Sequence, residues 1–179
     1  MPPVTACVRL NPSRSGEVVW GERLDPARFV IMNVPLPESE HRFHDIVLND
    51  GAESGTRELN DVKVPVFDEL AIWQRSKYST FRVNIRTVDA NAPDTLLEFC
   101  RSRKLGLEDW SSIRILCAEC SRGNPGPHDC EAVQEEGSRS FGLAAQSRED
   151  VITVLRDWKE SVDDAEFSDP ELVVDAMVH

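Results

Sequence analysis

The sequence predicts an α+β protein in which a β-rich N-terminal half, residues 1–77, precedes a mixed C-terminal half, residues 78–179. Three observations lead to this prediction. Apolar and polar residues alternate in several runs before residue 50, which is typical of strands with one buried face. Apolar residues recur at helical spacing in two later segments. Each of these segments lies between strand-like runs, so helices and strands are mixed in the second half.

The N-terminal half shows little helical pattern. We expect residues 49–61, which carry two glycines and mixed charges, to form a mobile surface loop, and we consider residues 67–75 a candidate helix. The half is either a subdomain of its own or a set of strands that extends the C-terminal sheet. Its candidate strands are residues 4–10, 17–24, 29–34 and 43–48.

The C-terminal half begins with the clearest strand, in which Phe81, Val83 and Ile85 alternate with polar residues. The spacing of apolar residues then predicts a helix over 92–104, with Gly106 as its left-handed C-terminal cap. Residues 113–117 and 140–146 are the next strand candidates.

Ser147 and Asp150 resemble a capping box at the start of a second helix, and residues 172–178 have the composition of a final strand. The resulting order is strand, helix, strand, strand, helix, strand. This is the order of a ferredoxin-like sandwich, in which two helices cover one face of a four-stranded antiparallel sheet. Because that architecture carries many unrelated functions, it does not identify one.

A loop at residues 117–130 contains Cys117, Cys120, His128 and Cys130, spaced C-x2-C-x7-H-x-C. Thiolates and an imidazole are the ligands that zinc prefers, and the intervening prolines and glycines permit the turns that would bring them together. The ligand set resembles that of compact zinc knuckles, although both later spacings differ. Four protein ligands would fill a tetrahedral shell, so we expect a structural zinc rather than a catalytic one.

Two alternatives to zinc remain open for this loop. Cys117 continues the apolar row of Ile113 and Ile115, so it is also a candidate core residue, with the other three side chains unliganded. The third interpretation is redox or nucleophilic chemistry, either as a disulfide between Cys120 and Cys130 or as a cysteine with His128 as its base.

The net charge of −12 argues against nucleic-acid binding, which depends on Lys and Arg. Residues 149–175 hold ten Asp/Glu and two Lys/Arg, a net of −8. This segment is either a solvated face or a surface that steers a basic protein partner. The candidate partner-binding residues are Asp157, Glu160, Asp163, Asp164 and Glu166.

A second candidate site is the polar segment 38–45, which includes His41 and His44. Carboxylates and imidazoles at this density could form an acid–base pair or an open metal site, and the alternative is a polar turn that leads into a strand. The four tryptophans, including Trp73 and Trp158, are expected in the core or at an interface rather than in ligand stacking.

The function that these features favour is an acidic protein-binding module, such as an immunity protein, an inhibitor or an accessory subunit. The alternative is a small-molecule enzyme that uses the 117–130 loop or the His41/His44 region, with or without a metal. No apolar run is long enough for a membrane span, and no signal-peptide pattern is present. An odd count of five cysteines does not suggest a disulfide framework, so we expect a cytoplasmic protein.

Overall fold

The computed structural model describes residues 4–14, 16–59, 62–111 and 138–177. This part of the chain is an α+β protein, rich in strands and with two α-helices. Its residues divide into two compact units, one ending at Ser76 and the other beginning at Lys77. No helix in the described ranges is long and apolar enough to cross a membrane.

The first unit is a closed five-stranded barrel. Strands that follow one another in the chain pair antiparallel, and the first and last strands close the barrel in a parallel pairing. An odd number of alternating strands leaves the first and last running in the same direction, so a five-stranded meander can close only with a parallel pair. The strands are β1 (Val4–Arg9), β2 (Val18–Arg23), β3 (Arg28–Ile31), β4 (Ile46–Leu59) and β5 (Val62–Gln74).

The barrel interior is apolar over most of its length. Phe29 and Phe67 lie at its centre with ring centroids 5.5 Å apart. Cys7 alternates with inward-facing neighbours and packs in a separate apolar cluster with Val64 and Val66. The interior cluster consists of Ala6, Val8, Leu10, Val19, Phe29, Ile31, Val47 and Phe67.

Two expectations for the N-terminal half are wrong. Residues 49–59 are not a loop but the second part of β4, which pairs with β5 through several register shifts. Residues 67–75 are not a helix, because β5 runs from Val62 to Gln74. Phe67, Glu69 and Ile72 all face inward although their spacing is irregular, since the β-bulge at Leu70 inserts an extra residue between Glu69 and Ile72. That irregular spacing imitates the periodicity of a helix.

The second unit is a sheet covered by two helices. Its strand order is β10-β6-β8-β7, with β9 paired to β6. Every pairing in this sheet is antiparallel. The elements are β6 (Ser79–Arg86), α1 (Ala92–Ser102), β7 (Gly106–Asp109), β8 (Ser138–Ala145), α2 (Arg148–Ser161), β9 (Glu166–Phe167) and β10 (Glu171–Val174).

The core of this unit lies between the sheet and the helices. Phe81, Val83 and Ile85 of β6 face it, as their alternation predicts, and Trp158 of α2 is completely buried. The indole Nε1 of Trp158 donates a hydrogen bond to the carbonyl oxygen of Ala92 at 2.9 Å. This bond ties α2 to the first residue of α1.

The helix ends show one confirmed prediction and one error. Ser147 caps α2, since its hydroxyl accepts a hydrogen bond from the Asp150 amide at 3.2 Å. The left-handed residue after α1 is Lys104, with φ of 59°, rather than Gly106, which is the first residue of β7. The amide of Leu105 bonds to the carbonyl of Cys100 at 2.9 Å, which completes a Schellman motif.

Strand β7 was not predicted, and the strand expected at residues 113–117 lies outside the described residues. The final strand is shorter than expected and ends at Val174.

Candidate functional site

A buried polar cluster lies beside the β1–β2 turn at one end of the barrel. Its centre is the connection between β3 and β4, residues 36–45, which we call the strap. The strap begins with a short 3₁₀ helix at Pro37–Ser39. Its residues bond to the β1–β2 turn, to the start of β2 and to β5. The polar residues buried in the strap are Ser39, His41, Arg42 and Asp45.

His41 is at the centre of this cluster and is 2% exposed. Its Nδ1 lies 2.7 Å from the carbonyl oxygen of Ser39, and its Nε2 lies 2.7 Å from Oε1 of Glu69. A carbonyl oxygen only accepts hydrogen bonds, and so does an ionised carboxylate. Both ring nitrogens therefore donate, and His41 is an imidazolium paired with a carboxylate. The proton between Nε2 and Oε1 can also reside on Glu69, in which case both side chains are neutral and the hydrogen bond between them is kept.

Glu69 is the partner of this imidazolium, and it is also buried. Its Oε2 accepts a hydrogen bond from the Asn11 amide at 3.0 Å, while the Asn11 side chain donates to the Ser39 carbonyl at 2.9 Å. Asn11 thus links β5 to the strap.

Burial disfavours the charge on both His41 and Glu69, but it is outweighed by their mutual hydrogen bond and charge attraction together with the Ser39 carbonyl and Asp45 for His41 and the Asn11 amide and Arg75 for Glu69. The pKa of His41 is raised above 6.5, and the pKa of Glu69 is lowered below 4.5.

Glu17 holds the other end of the strap. Its two carboxylate oxygens lie 3.0 and 3.2 Å from the Leu36 amide nitrogen, which donates to them. Burial raises the pKa of Glu17 to about 7, although the bonds to Leu36 and Ser39 and the charge of His41 act in the opposite direction. A carboxyl group with this pKa is protonated in a substantial fraction of molecules near neutral pH.

Asp45 fastens the last part of the strap to the end of β5. Its side chain is fully buried and accepts hydrogen bonds from the amide of Arg42 at 3.0 Å and the amide of Ser76 at 2.7 Å. Arg75 donates to Asp45 at 3.1 Å and to the carbonyl oxygen of Glu40 at 2.6 Å. The strap is therefore bonded to β5 at Glu69 and again just beyond its end at Arg75.

The two histidines of the predicted site have different surroundings. His44 has φ of 67° and stacks on Phe43 with ring centroids 3.8 Å apart. Burial lowers the pKa of His44, and the charge of Glu22 only partly offsets this effect. His41, with both nitrogens donating, has no lone pair to offer a metal or a substrate proton. Within the described ranges, no group of three His, Cys, Asp or Glu side chains could hold a metal ion.

The acidic residues named from the sequence surround the C-terminal end of α2. Asp157 is half-buried and forms an ion pair with Arg103, whereas Glu160, Asp163, Asp164 and Glu166 are exposed. The ion pairs found among the described residues involve none of these four exposed carboxylates. Carboxylates near a helix C-terminus interact unfavourably with the helix dipole, so this arrangement does not stabilise α2.

An exposed apolar surface that the sequence did not reveal lies on the barrel. On the outer face of β3 and β4, Val30 pairs with Ile46, and Leu48 pairs with Arg28 on one side and with Ala71 of β5 on the other. On β5, Leu70 and Trp73 are the extra residues of two β-bulges. The neighbours Leu48 and Asn49 of β4 pair with Ala71 and Glu69, which leaves Leu70 unpaired in the ladder, and Ile46 and Val47 pair with Gln74 and Ile72, which leaves Trp73 unpaired in the ladder. Leu70 is 64% exposed and Trp73 is 59% exposed. We call the following set the bulge surface: Val30, Ile46, Leu48, Leu70, Ala71 and Trp73.

The exposure of Trp73 shows that it does not lie in the core of the chain. The sequence signal was present but ambiguous, since Trp73 follows the apolar residues Leu70, Ala71 and Ile72, which is also the pattern of a buried segment. Alternation from the inward-facing Ile72 places Trp73 on the outside of the barrel.

The predicted zinc ligands Cys117, Cys120, His128 and Cys130 lie outside the described residues. Cys7 and Cys100, the cysteines inside the described ranges, are both buried free thiols. Burial raises the pKa of both thiols, that of Cys100 to about 12, so neither has the thiolate character of a reactive cysteine.

No family model matches this chain, and no curated protein does. Among solved structures, the chain is similar to one described as "Novel crystal structure of a hypothetical protein from Neisseria gonorrhoeae". The identity is 14%, 96% of each chain is covered, and the TM-score is 0.31. A likeness of this size supports no statement about fold or function.

Proposed function

We propose that this protein is a protein-binding module that engages a basic partner, in the manner of an immunity protein, an inhibitor or an accessory subunit. The observation that carries the proposal is the bulge surface. Leu70 and Trp73 are exposed at two interruptions of the β4–β5 ladder, next to the outer-face pairs Leu48–Ala71 and Ile46–Gln74. Exposed apolar surface centred on a tryptophan is typical of interaction sites.

The exposed fractions of Leu70 and Trp73 correspond to roughly 250 Å² of accessible side-chain surface. Burying this area would contribute about 6 kcal/mol before the cost of association. A stable interface covers about 800 Å² on each partner, so the partner must also contact residues around these two side chains. The neighbouring aliphatic residues Val30, Ile46 and Leu48 are half-buried and extend the apolar contact.

The charge of the chain determines the kind of partner. From Glu160 to the C-terminus the sequence has seven Asp/Glu and no Lys or Arg, and the net charge of the whole chain is −12. A basic protein would be attracted over a distance that depends on salt, and its association would be faster at low ionic strength. The proposed acidic contacts are Asp157, Glu160, Asp163, Asp164 and Glu166.

The experiment compares immobilised wild-type protein with the double variant Leu70→Ser/Trp73→Ser in extracts of its own cells. A double variant at similarly exposed apolar positions elsewhere, Leu24→Ser/Val88→Ser, is the matched control. Proteins that the wild type and the control retain, but the bulge variant does not, are purified, and their affinity is measured directly. We expect a basic protein whose affinity falls at least tenfold for the bulge variant and by less than threefold for the control.

A second arm tests the charge. Reversal of the four exposed carboxylates Glu160, Asp163, Asp164 and Glu166 to Lys should slow association by about tenfold at low salt and change dissociation little. Equal binding by the wild type and the bulge variant contradicts the proposal. Self-association that the bulge variant abolishes, seen by analytical ultracentrifugation, would instead assign the surface to a second copy of this chain.

We also propose a ferredoxin-like architecture for the C-terminal unit. The order β10-β6-β8-β7, the antiparallel pairing of neighbours and the position of one helix after β6 and another after β8 support this assignment.

A structural zinc bound by Cys117, Cys120, His128 and Cys130 remains a proposal based on the ligand types alone. Metal analysis of the purified protein together with thiol titration tests it. The location that we propose is the cytoplasm, and the buried free thiols of Cys7 and Cys100 are in keeping with a reducing compartment.

A further inference from the structure

We propose that the protonation state of the strap cluster controls the conformation of the bulge surface. While His41 is protonated, the strap fixes the outward positions of Leu70 and Trp73, and when the proton is lost the two side chains are no longer fixed there. The significance of this switch for binding rests on the proposed function. The switch itself is a property of the isolated protein.

Hydrogen bonds connect the strap to both ends of the bulged part of β5. Glu69, which pairs with His41, immediately precedes the bulge residue Leu70. Arg75, which donates to Asp45 and to the Glu40 carbonyl, lies two residues beyond the bulge residue Trp73. The strap is therefore bonded to both ends of the bulged segment 69–75, and a change in the strap alters the support of both bulges.

The contact between His41 and Glu69 requires a proton. Nε2 of His41 and Oε1 of Glu69 are 2.7 Å apart, and the other ring nitrogen already donates to the Ser39 carbonyl. When either ring proton leaves, a lone pair of His41 faces an acceptor oxygen at hydrogen-bond distance, either the carboxylate of Glu69 or the carbonyl oxygen of Ser39. A buried acceptor that faces a lone pair instead of a donor is strongly unfavourable, so the two groups separate or admit water.

The charged groups around His41 come from every element packed against it. Glu69 belongs to β5, Asp45 ends the strap, and Glu17 lies just before β2. Glu38 of the strap acts on Glu17, and Arg75 beyond β5 acts on Glu69. The Asn11 amide, which follows β1, also donates to Glu69.

The direction of the response follows from the pKa shifts. The pKa of His41 is raised, so its contribution is complete below its ordinary value of 6.5 and is lost as the pH rises through the higher folded value. The pKa of Glu17 is raised from 4.5 to about 7, so the cost of ionising it in the folded strap grows as the pH rises from 4.5 and is complete above about 7. The pKa of Glu69 is lowered, so its contribution is complete above 4.5 and lost only in more acidic solution. The strap is therefore most stable near pH 4.5, where Glu69 is ionised and Glu17 still holds its proton, and it loosens progressively as the pH rises through 7.

The experiment uses the full chain labelled with 5-fluorotryptophan and followed by ¹⁹F NMR from about pH 5 to about pH 9, with the imidazole resonances of the histidines recorded in parallel. Comparison with Trp73→Phe assigns the Trp73 signal. We expect this signal to shift with the midpoint of the His41 titration, while the signals of the buried Trp110 and Trp158 stay constant.

Three variants separate the groups. Glu69→Gln removes the charge that holds the His41 proton, so Trp73 should show its high-pH signal throughout. Glu17→Gln keeps a neutral side chain of the same size and should leave one transition, set by His41. His44→Gln is the control for the other imidazole of this region and should leave the Trp73 midpoint unchanged.

A Trp73 signal that stays constant over this range overturns the proposal, and so does a Trp73 midpoint that follows His44 or persists in Glu69→Gln. If Glu69→Gln fails to fold, the wild-type, Glu17→Gln and His44→Gln titrations still decide the question. Because no partner is present, failure of the switch and failure of the protein-binding function are observed separately.

Discussion

The two units differ in what they bury. The core of the C-terminal unit is apolar, and the buried polar residues described there are Ser79 and Thr80. The barrel buries a histidine, an arginine and two carboxylates, in addition to Ser39 and Asn49. Apolar contacts contribute stability that does not depend on pH, whereas a buried ion pair contributes only while both partners hold the required charge. The C-terminal unit is therefore stabilised mainly by apolar packing, whereas the end of the barrel that carries the strap depends on bonds that require a particular protonation state.

The largest expected effect tests the apolar unit. Replacement of Trp158 by Ala removes a fully buried side chain and its bond to the Ala92 carbonyl. We expect the free energy of unfolding of this unit to fall by about 4 kcal/mol, equally at pH 6 and pH 8, as measured by urea denaturation followed by circular dichroism. Arg156→Ala, at an exposed position of the same helix, should change it by less than about 0.5 kcal/mol. A clear pH dependence of the Trp158 effect would contradict the comparison.

The second effect tests the polar unit. In Glu69→Ala the buried imidazolium of His41 loses its partner, and we expect a loss of about 3 kcal/mol near pH 6. The loss should shrink toward pH 8.5, because the raised pKa of His41 means that the wild-type pair is itself lost as the pH increases. Lys63→Ala, at an exposed position of β5, is the control. A loss of the same size at both pH values would show that the pair does not titrate.

A smaller effect concerns the start of α2. Ser147→Ala removes the side chain that accepts the Asp150 amide, and we expect a loss of about 1 kcal/mol. Thr153→Ala, an exposed change inside the same helix, should be neutral or slightly stabilising, since alanine has the higher helix propensity. An unchanged melting temperature for Ser147→Ala would mean that the cap contributes nothing.

The smallest effect is expected at the bulge surface. Trp73→Ser replaces a side chain that is 59% exposed, so the free energy of unfolding should change by no more than about 0.5 kcal/mol. Thermal unfolding of the purified variant measures this change. A loss above about 1.5 kcal/mol would show that Trp73 is needed for folding, and the affinity loss expected for the bulge variant could then no longer be assigned to binding.

The C-terminal elements were largely predictable. The alternation over 79–86, the helical spacing of α1 and the Ser147 cap are local patterns that do not depend on distant residues. The C-terminal cap of α1 was misplaced because glycine was expected at the left-handed position, which Lys104 occupies. Strand β7 was missed because four residues carry too short a pattern to be recognised.

The candidate site was predicted only in part. The segment containing His41 and His44 was identified from its density of titratable side chains, but neither Glu69 nor Glu17 was connected to it. The partner of His41 is 28 residues away in the chain, on a strand whose register shifts at two bulges. Period-two reasoning cannot place a side chain beyond a bulge, since each extra residue reverses the face of those that follow.

The sequence by itself determined the α+β class, the acidic C-terminal segment and the positions of β6, α1, β8 and α2, because composition and short-range periodicity act within a few residues. The tertiary structure decided the closed barrel, the continuation of β4 through residues 49–59, the outward position of Leu70 and Trp73, and the proton held between His41 and Glu69. These features depend on which distant backbone groups pair and in what register, and that choice is made by the barrel as a whole rather than by any local segment.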